Sequence, residues 1–474
     1  MRIFACFLVL VVSSSLAAQS GRVSPIASQN DPALVALADE PTVKQMFDET
    51  NGYLRSKAAE FEAKKVPFTD SRLKQLKLDQ RQLAARYAAT AGMRKGLAGD
   101  DFYYLGMLHW IAENLDGTTE SLQKFVGSEN AAVERSQTAR SIIVVAFAKQ
   151  KRLDDAEKVL ADYVKNQPTK LTERSRMESE LAKAYQLQKD FVRMAPHADA
   201  AYKAAKALLA DSASRARGLD EILDSGTLVF EAYRDIGNQE KADAALDDMS
   251  VTAITTQSST FYYYAVDNKI RYMIETGRKP HALNFYQAAI AGIETAFLAK
   301  PQRDDALRRL KARDKHYQLL SENAIELTVV DQWFPGTPKT FTDLKGKVVL
   351  LDFWATWCAP CLEAFPAVKD WHQEFSGDGL EILGVTRYYG NVNGVAAEMP
   401  AEIEYFKRFK KTHALPYDFV VGKGRGIQLA YGAMALPTAV LIDRKGVIRY
   451  IATGTSPTRL EEIRAMIVKL LTEK

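Results

Sequence analysis

Residues 347–368 read KVVLLDFWATWCAPCLEAFPAV and decide the fold of the C-terminal part of this chain. The β-branched and apolar run at 348–353 predicts a buried strand. From Cys358 onward, apolar residues recur with the period of a helix as far as Phe375. Cys358 and Cys361 lie at the junction with the spacing C-x-x-C. The stretch therefore predicts a strand followed closely by a helix that begins at the two thiols.

The only other cysteine, Cys6, lies in an N-terminal segment that reads as an export signal. Arg2 is a minimal basic region, residues 3–12 are apolar, and residues 13–18 are small, so we expect cleavage after Ala17. About ten apolar residues cannot cross a bilayer, which needs about 20. We therefore expect a periplasmic or otherwise exported protein without a transmembrane helix in the mature chain.

After signal cleavage, the C-x-x-C pair holds the only two cysteines of the chain. A disulfide between residues so close in sequence removes little entropy from the unfolded chain and stabilises the fold little. The pair therefore indicates redox chemistry rather than a structural cross-link.

The residues around this pair predict further strands and helices. We expect a strand at 380–385, a helix at 401–411, and a hairpin of strands at 439–443 and 447–451. A last helix begins at Ser456-Pro457, a typical cap followed by a first-turn proline. The order β-α-β-α-β-β-α predicts the α/β thioredoxin fold.

The motif WATWCAPC at 354–361 closely resembles the active site of thioredoxins. Residues 326–474 as a whole resemble exported thioredoxin-like proteins of the TlpA/ResA type, with FTDLKGK at 341–347 and AMALPTAVLID at 433–443 as supporting motifs. The chain departs from many of these relatives in having Asp352 in place of Asn. It also has Ala364 in place of a Glu, with Glu363 one position earlier, so a second carboxylate is not expected to assist.

The chemistry of the site follows from its residue types. Cys358 falls at a helix N-terminus, where the free N–H groups favour a thiolate, so we expect it to be the nucleophile. Cys361 lies one turn further in and would resolve the mixed disulfide. Asp352, on the strand beneath, is expected to be buried with a raised pKa and to accept the proton of Cys361.

The resemblance implies the residues that contact the substrate. Pro437 is expected to be cis and to face the cysteines, which leaves the backbone of Leu436 free to pair with an extended client segment. Trp357, next to the nucleophile, is the other expected contact. The resemblance further implies oxidised exported proteins as clients and a membrane thiol reductant as electron donor.

Composition divides the 474 residues into regions. There are 13 Gly and 8 Pro up to residue 325 and the same numbers in the shorter part after it, so turn-formers are more than twice as dense there. We predict a signal peptide at 1–17, a linker at 18–39, a leading helical hairpin at 40–99, a helical repeat domain at 100–325 and a thioredoxin-like domain at 326–474. The chain is thus expected to be multidomain, with an N-terminal all-α solenoid.

The prediction of a repeat domain is based on a sequence pattern that recurs about every 40 residues. Each copy has a junction residue, an Ala five positions later and a large apolar residue four positions after that. This pattern resembles tetratricopeptide repeats, in which a small residue on the second helix lets it approach the first. The three clearest copies are Lys151-x4-Ala156-x3-Leu160, Gly237-x4-Ala242-x3-Leu246 and Gly277-x4-Ala282-x3-Tyr286.

Helical repeats present surfaces to other proteins, so we expect this domain to bind a protein partner. The aromatic runs at 102–104 and 261–264 fit either a groove or the core, and the core is the commoner use. The charged runs at 308–315 and 408–411 are predicted to be solvated helix faces.

The remaining patterns exclude several classes of function. A net charge of +4 gives no indication of nucleic-acid binding. The six His residues form no metal-ligand spacing with each other or with Cys, and no phosphate loop occurs, so we expect neither a metal nor a cofactor. The glycines at 422, 424 and 426 are interpreted as a turn.

Three classes of function remain to be weighed. The first is a thiol–disulfide oxidoreductase that acts as a reductase or an isomerase-like donor rather than as an oxidant, because the Ala-Pro dipeptide lacks the His of strong oxidants. The second is a helical-repeat binding module with an auxiliary redox domain. The third is a thiol peroxidase, which would need Pro at 351 and Thr or Ser at 355. The chain has Leu351 and Ala355 at these positions. We therefore reject the third class.

Overall fold

The structure, a computed structural model, describes residues 40–473. The predicted signal peptide at 1–17, which includes Cys6, and the predicted linker at 18–39 lie outside the described residues. The chain divides into two compact units, Met1–Phe125 and Val126–Lys474.

The described part of the first unit is helical. Two long helices lie where the sequence predicts a leading helical hairpin, at 40–99, and Thr42 caps the first of them through a capping box with Gln45. Thr69 caps the second through a hydrogen bond from the backbone N–H of Arg72. The helices are α1 (Val43–Ala63), α2 (Asp70–Gly92), α3 (Asp100–Ile111) and α4 (Leu115–Val126).

The second unit begins with a run of ten helices, and consecutive helices among the first nine pack on one another. They are α5 (Val133–Lys149), α6 (Leu153–Lys165), α7 (Leu171–Gln188), α8 (Phe191–Ala210), α9 (Arg215–Ile236), α10 (Gln239–Thr255), α11 (Ser259–Glu275), α12 (Lys279–Ala296), α13 (Lys300–Lys311) and α14 (Asp314–Leu319).

The repeat pattern found in the sequence coincides with the turns between helices. Its junction residues Lys151, Gly237 and Gly277 all adopt a positive φ, the left-handed conformation that ends a helix. Five residues later, on the following helix, the small side chains are fully buried, as the pattern requires for close helix approach. These side chains are Ala156, Ala242 and Ala282.

The predicted fold class, an all-helical region followed by a thioredoxin fold, is confirmed. The last helix of the helical region ends at Leu319, and the first strand of the C-terminal region begins at Val330. The predicted boundary at residue 325 lies between them. The compact units divide at residue 125 instead. The assignment of domains, and of the repeats to the tetratricopeptide type, stays a prediction.

A six-stranded mixed sheet forms the centre of the C-terminal region, in the order β1-β6-β3-β2-β7-β8. β2 is parallel to β3 and β3 to β6, whereas β1, β7 and β8 pair antiparallel with their neighbours. The strands are β1 (Val330–Phe334), β2 (Val348–Phe353), β3 (Leu380–Arg387), β4 (Asn391–Val392), β5 (Val395–Ala396), β6 (Asp418–Gly422), β7 (Thr438–Ile442) and β8 (Ile448–Thr453), with β4 and β5 forming a separate small hairpin.

Four helices accompany this sheet: α15 (Ala359–Phe375), α16 (Met399–Thr412), α17 (Gly426–Ala430) and α18 (Pro457–Thr472). Side chains of α15, α16 and α18 share one buried cluster with Leu350 and Trp354, which project from one face of the sheet. Both cysteines belong to the same cluster, so the thiols lie between α15 and the sheet.

The predicted element order is incomplete, because β1 and β6, the small β4–β5 hairpin and the short helix α17 were not expected. β6 ends at Gly422 and α17 begins at Gly426, so the glycine-rich stretch read as a turn does link a strand to a helix.

The helical region also corrects one prediction about exposed charge. Arg313, within the run at 308–315 that was expected to be solvated, is only 9% exposed and is paired with Asp267. Of the aromatic runs, Tyr104, Phe261 and Tyr262 are buried, which favours the core interpretation for these three side chains.

Candidate functional site

The two cysteines predicted to carry the chemistry form a disulfide with an S–S distance of 2.03 Å. Cys358 is the N-cap of α15, with an extended backbone conformation, and its Sγ accepts a hydrogen bond from the backbone N–H of Cys361 at 3.3 Å. Pro360 lies in the first turn, where a missing N–H costs no helical hydrogen bond. The local sequence thus places the sulfur of Cys358 against the free amides of a helix start.

The electrostatic surroundings of this helix start favour a negatively charged sulfur. The N-terminal amides of a helix carry a partial positive charge, and no acidic residue lies in the first turn of α15 to oppose it. Glu363 is exposed, as expected for a carboxylate on another helix face. Cys358 and Cys361 are both buried, and Cys361 is slightly more so.

Asp352 lies on β2, directly between Gly384 of β3 and Ala439 of β7. Side chains opposite each other in a sheet share a face, and Ala439 is part of the buried cluster that contains both cysteines. Asp352 is 5% exposed, and its Oδ2 has no hydrogen-bond partner in the described protein. Burial raises the pKa of this carboxyl to about 7, as the sequence predicted in direction.

Tyr417, just before β6, was missed by the sequence analysis. Its ring belongs to the same buried cluster as the cysteines, and its hydroxyl likewise has no hydrogen-bond partner in the described protein. Burial, together with the charge of Asp352, raises the pKa of Tyr417. Nothing in the sequence indicated this neighbour, because β6 itself was not predicted.

The Leu436-Pro437 peptide bond is cis, as the resemblance implied. Thr438, the next residue, pairs with Phe353 at the end of β2, just before the short loop that leads to Cys358 at the start of α15. Leu436 packs against the cluster that contains both thiols. The turn before β7 therefore lies beside the disulfide.

Trp357 is 58% exposed and lies at the rim of the site. Its ring contacts Tyr389 edge to face at a centroid distance of 5.3 Å, and the guanidinium of Arg387 lies 3.9 Å from the Tyr389 ring centroid. Gln428 accepts from Arg387 and donates to the Tyr389 hydroxyl. The buried carboxylate of Glu402 accepts the N–H of Tyr389, which fixes this loop. These supports were not predicted.

Other kinds of site find no support in the described chain. Between residues 40 and 473, no group of three or more His, Cys, Asp or Glu side chains is arranged to hold a metal ion. Leu351 and Ala355, at the positions a peroxidase would need for Pro and Thr or Ser, are fully buried apolar residues. Within the same range, no helix combines the length and apolar character needed to cross a bilayer.

Comparison with known proteins places this C-terminal region among thiol–disulfide proteins. Residues 321–451 match the model of the AhpC/TSA family. The thioredoxin-like protein YneN of Bacillus subtilis is 36% identical over 120 residues, which cover 25% of this chain and 64% of YneN. The thiol-disulfide oxidoreductase ResA of Geobacillus thermodenitrificans is 32% identical over 120 residues, which cover 25% of this chain and 62% of that protein.

The chain thus spans less than two thirds of the length of these two relatives. A longer match is the ResA of Bacillus anthracis, which is 30% identical over 149 residues, covering 31% of this chain and 78% of that protein. Among solved structures, StoA from Bacillus subtilis aligns with a TM-score of 0.25 and 20% identity, over 32% of this chain and 99% of StoA.

Proposed function

The chain belongs to the ResA family of thioredoxin-like thiol-disulfide oxidoreductases, and from this premise we propose that it reduces disulfides of exported proteins. One observation carries the proposal: Cys358 and Cys361 close a disulfide while the Sγ of Cys358 caps a helix N-terminus. A dithiol in this position can deliver two electrons by thiol–disulfide exchange.

The first step is attack on the client. In the reduced protein, the Cys358 thiolate attacks one sulfur of a client disulfide. A bond forms between Cys358 and that sulfur, the client S–S bond breaks, and the second client sulfur leaves as a thiolate that takes a proton from water. Trp357 and the backbone of Leu436 hold the client segment beside the sulfur.

The second step closes the protein disulfide. The carboxylate of Asp352 takes the proton of the Cys361 thiol, and the resulting thiolate attacks the Sγ of Cys358. The mixed disulfide breaks, and the remaining client sulfur leaves as a thiolate. The client has gained two electrons, and the Cys358–Cys361 disulfide is then reduced by a dithiol donor, which we propose is a membrane thiol reductant.

We place this chemistry outside the cytoplasm. The proposal depends on the signal-like residues 1–17, since cleavage after Ala17 would leave a chain whose only cysteines are the active pair. Mass spectrometry of the exported protein is expected to find an N-terminus at residue 18. A mature protein that retains Met1 would contradict cleavage.

The activity is tested on the full mature chain by insulin reduction with dithiothreitol as electron donor. We expect insulin to precipitate faster with the protein than with dithiothreitol alone. Replacing both cysteines by Ser should abolish the acceleration. A wild-type protein that adds nothing to the rate of dithiothreitol would refute the reductase proposal.

The alternative is a protein-binding module in which the redox domain is auxiliary. It is favoured by Leu187 and Val192, which flank the turn between α7 and α8 and are 81% and 72% exposed. The double variant Cys358→Ser, Cys361→Ser separates the two functions. A client that still binds the thiol-free protein reversibly, with unchanged affinity, would favour the binding module.

A further inference from the structure

A buried chain of polar groups joins the helical region to the sheet within the second compact unit. It consists of Asp267 on α11, Arg313 before α14 and His316 on α14, which we call the interface chain. Arg313 Nε donates to Asp267 Oδ1 at 3.2 Å, and Arg313 contacts His316 Nδ1 at 2.7 Å. His316 Nε2 lies 2.9 Å from the backbone oxygen of Gly432.

The hydrogen bonds of the interface chain have a defined direction. A guanidinium only donates, so Nδ1 of His316 accepts and the ring proton is on Nε2. Nε2–H therefore donates to the carbonyl of Gly432. Burial and the neighbouring Arg313 lower the pKa of His316 to about 4, so the ring is neutral at neutral pH and holds this arrangement.

The charge of Arg313 is compensated rather than solvated. Asp267 is its ion-pair partner, and the hydroxyl of Tyr317 donates to the same carboxylate at 2.6 Å. The guanidinium also donates to the backbone oxygen of Ile451 on β8 at 3.3 Å. Because a buried charge is costly without partners, these contacts require the helical region and the sheet to be in place together.

The segment between the two regions is fixed as well. Ser321 N–H donates to the backbone oxygen of Ile448, and Ala324 N–H donates to that of Gly446, both at 2.8 Å. Ile448 N–H returns a bond to Glu322 at 2.8 Å. The connection therefore pairs with the edge of the sheet at β8.

Gly432 is the point at which the interface chain meets the candidate site. It has a φ of +66°, and a Cβ added there would lie 2.9 Å from Cδ2 of His316 and 3.0 Å from the Cβ of Lys315. Only glycine fits this close approach. Four residues later the same loop reaches Leu436 and the cis Pro437, beside the disulfide.

We propose that His316 and Arg313 are positioning residues for client binding, because they hold the loop at 432–437 in the conformation that presents Leu436 to an extended client segment. The helical region thereby sets the affinity of the redox site for protein disulfides. This inference rests on the proposed reductase function. A small disulfide that needs no backbone pairing should be insensitive to the interface chain.

The test uses the full chain with two oxidants: insulin, with dithiothreitol as electron donor, and 5,5′-dithiobis(2-nitrobenzoic acid), in a single turnover of pre-reduced protein from which dithiothreitol has been removed. In His316→Asn, the side-chain oxygen can still accept from Arg313, but the side chain is too short to reach Gly432. We expect KM for insulin to rise about tenfold, with kcat and the rate on the small disulfide within about twofold of wild type. His316→Gln can make both hydrogen bonds and should restore KM.

His281→Asn, an exposed position on α12, is the matched control and should change neither substrate. If His316→Asn does not fold, Arg313→Lys is the second variant. Lysine keeps a positive charge beside Asp267 but lacks the planar guanidinium, whose second nitrogen contacts His316. It should likewise raise KM for insulin alone.

Two results would overturn the inference without touching the reductase proposal. One is an unchanged KM for insulin in folded His316→Asn or Arg313→Lys protein. The other is an equal loss on insulin and on the small disulfide. A wild-type protein that reduces neither substrate would refute the reductase proposal and this inference together.

Discussion

The Sγ of Cys358 accepts a hydrogen bond from the backbone N–H of Cys361 at 3.3 Å. The expected nucleophile is therefore also the cap of the helix that contains its partner. Ser, Thr and Asp usually fill this role, because a side-chain acceptor satisfies an amide that has no helical partner. Here the same amide also supports negative charge on sulfur, so capping and thiolate stabilisation depend on one contact.

The first prediction concerns the acidity of the Cys358 thiol in the reduced protein. The helix N-terminus should lower its pKa below the free-cysteine value of about 8.5. Titration of thiolate absorbance in Cys361→Ser protein, where Cys358 is the only cysteine of the mature chain, measures this directly. A value at or above about 8.5 would contradict stabilisation by the helix start.

The second prediction distinguishes the roles of the two thiols. Cys361→Ser should lose turnover but accumulate mixed disulfides with clients, because no thiol remains to resolve the adduct. Cys358→Ser should lose both turnover and capture. Non-reducing electrophoresis of the two variants after incubation with an oxidised client decides between them. Adducts on Cys358→Ser alone would reverse the assignment.

The third prediction concerns Asp352 as a base. Asp352→Asn should leave capture of clients nearly intact and slow the decay of the mixed disulfide by about 10²–10⁴-fold. In wild type this decay should accelerate as pH rises through about 7, because the carboxylate then becomes the dominant form. Asp370→Asn, at an exposed position on α15, is the control. Equal decay rates in both variants would exclude proton transfer to Asp352.

The fourth prediction concerns stability of the oxidised protein. Folding raises the pKa of Asp352 from 3.8 to about 7, so the unfolded chain releases this proton at lower pH than the folded one. The contribution of Asp352 to the free energy of unfolding is therefore largest below about pH 4 and falls until about pH 7, by at most about 4 kcal/mol.

Asp352→Asn removes this dependence. The free energy of unfolding of the variant, minus that of wild type, should therefore be larger at pH 8 than at pH 4.5. Urea unfolding of both proteins at both pH values measures this difference. All other titrating groups are common to the two proteins, so the difference isolates Asp352. The same stability difference at both pH values would show that the carboxyl is not protonated by burial.

The fifth prediction concerns packing beside Asp352. A Cβ added at Gly384 would lie 2.6 Å from Nε1 of Trp354 and 2.8 Å from the Cβ of Phe419, a side chain anchored on β6. Gly384→Ala should therefore destabilise the protein by about 1–3 kcal/mol through overpacking. Gly292→Ala on α12 has no atom within 4 Å of the added Cβ and should be neutral or slightly stabilising. Equal midpoints of urea unfolding in the two variants would contradict this account.

Local sequence was sufficient where an element carries its own signal. The strand at 348–353 and the helix at 359–375 were predicted within a residue of their observed bounds, because a long apolar run and a clear helical period lie side by side. β1 and β6 were missed because, unlike the equally short β7, neither belongs to a hairpin whose turn marks it in the sequence. Such strands form only when distant partners are present, and β6 pairs with β1 and β3.

The sequence by itself determined the redox pair, the helix start at Cys358 and the acid Asp352 on the strand beneath them, because each depends on residues close together in the chain, whereas the cis Pro437 was implied only by the resemblance to thioredoxin-like proteins. Only the tertiary structure decided that Arg313, in a run of charges that looked solvated, is buried against the carbonyl of Ile451. It also decided that His316 holds Gly432, 116 residues away in sequence. The physical reason is that burial of a charge depends on compensating partners, and these partners come from helices and strands that are distant in the chain.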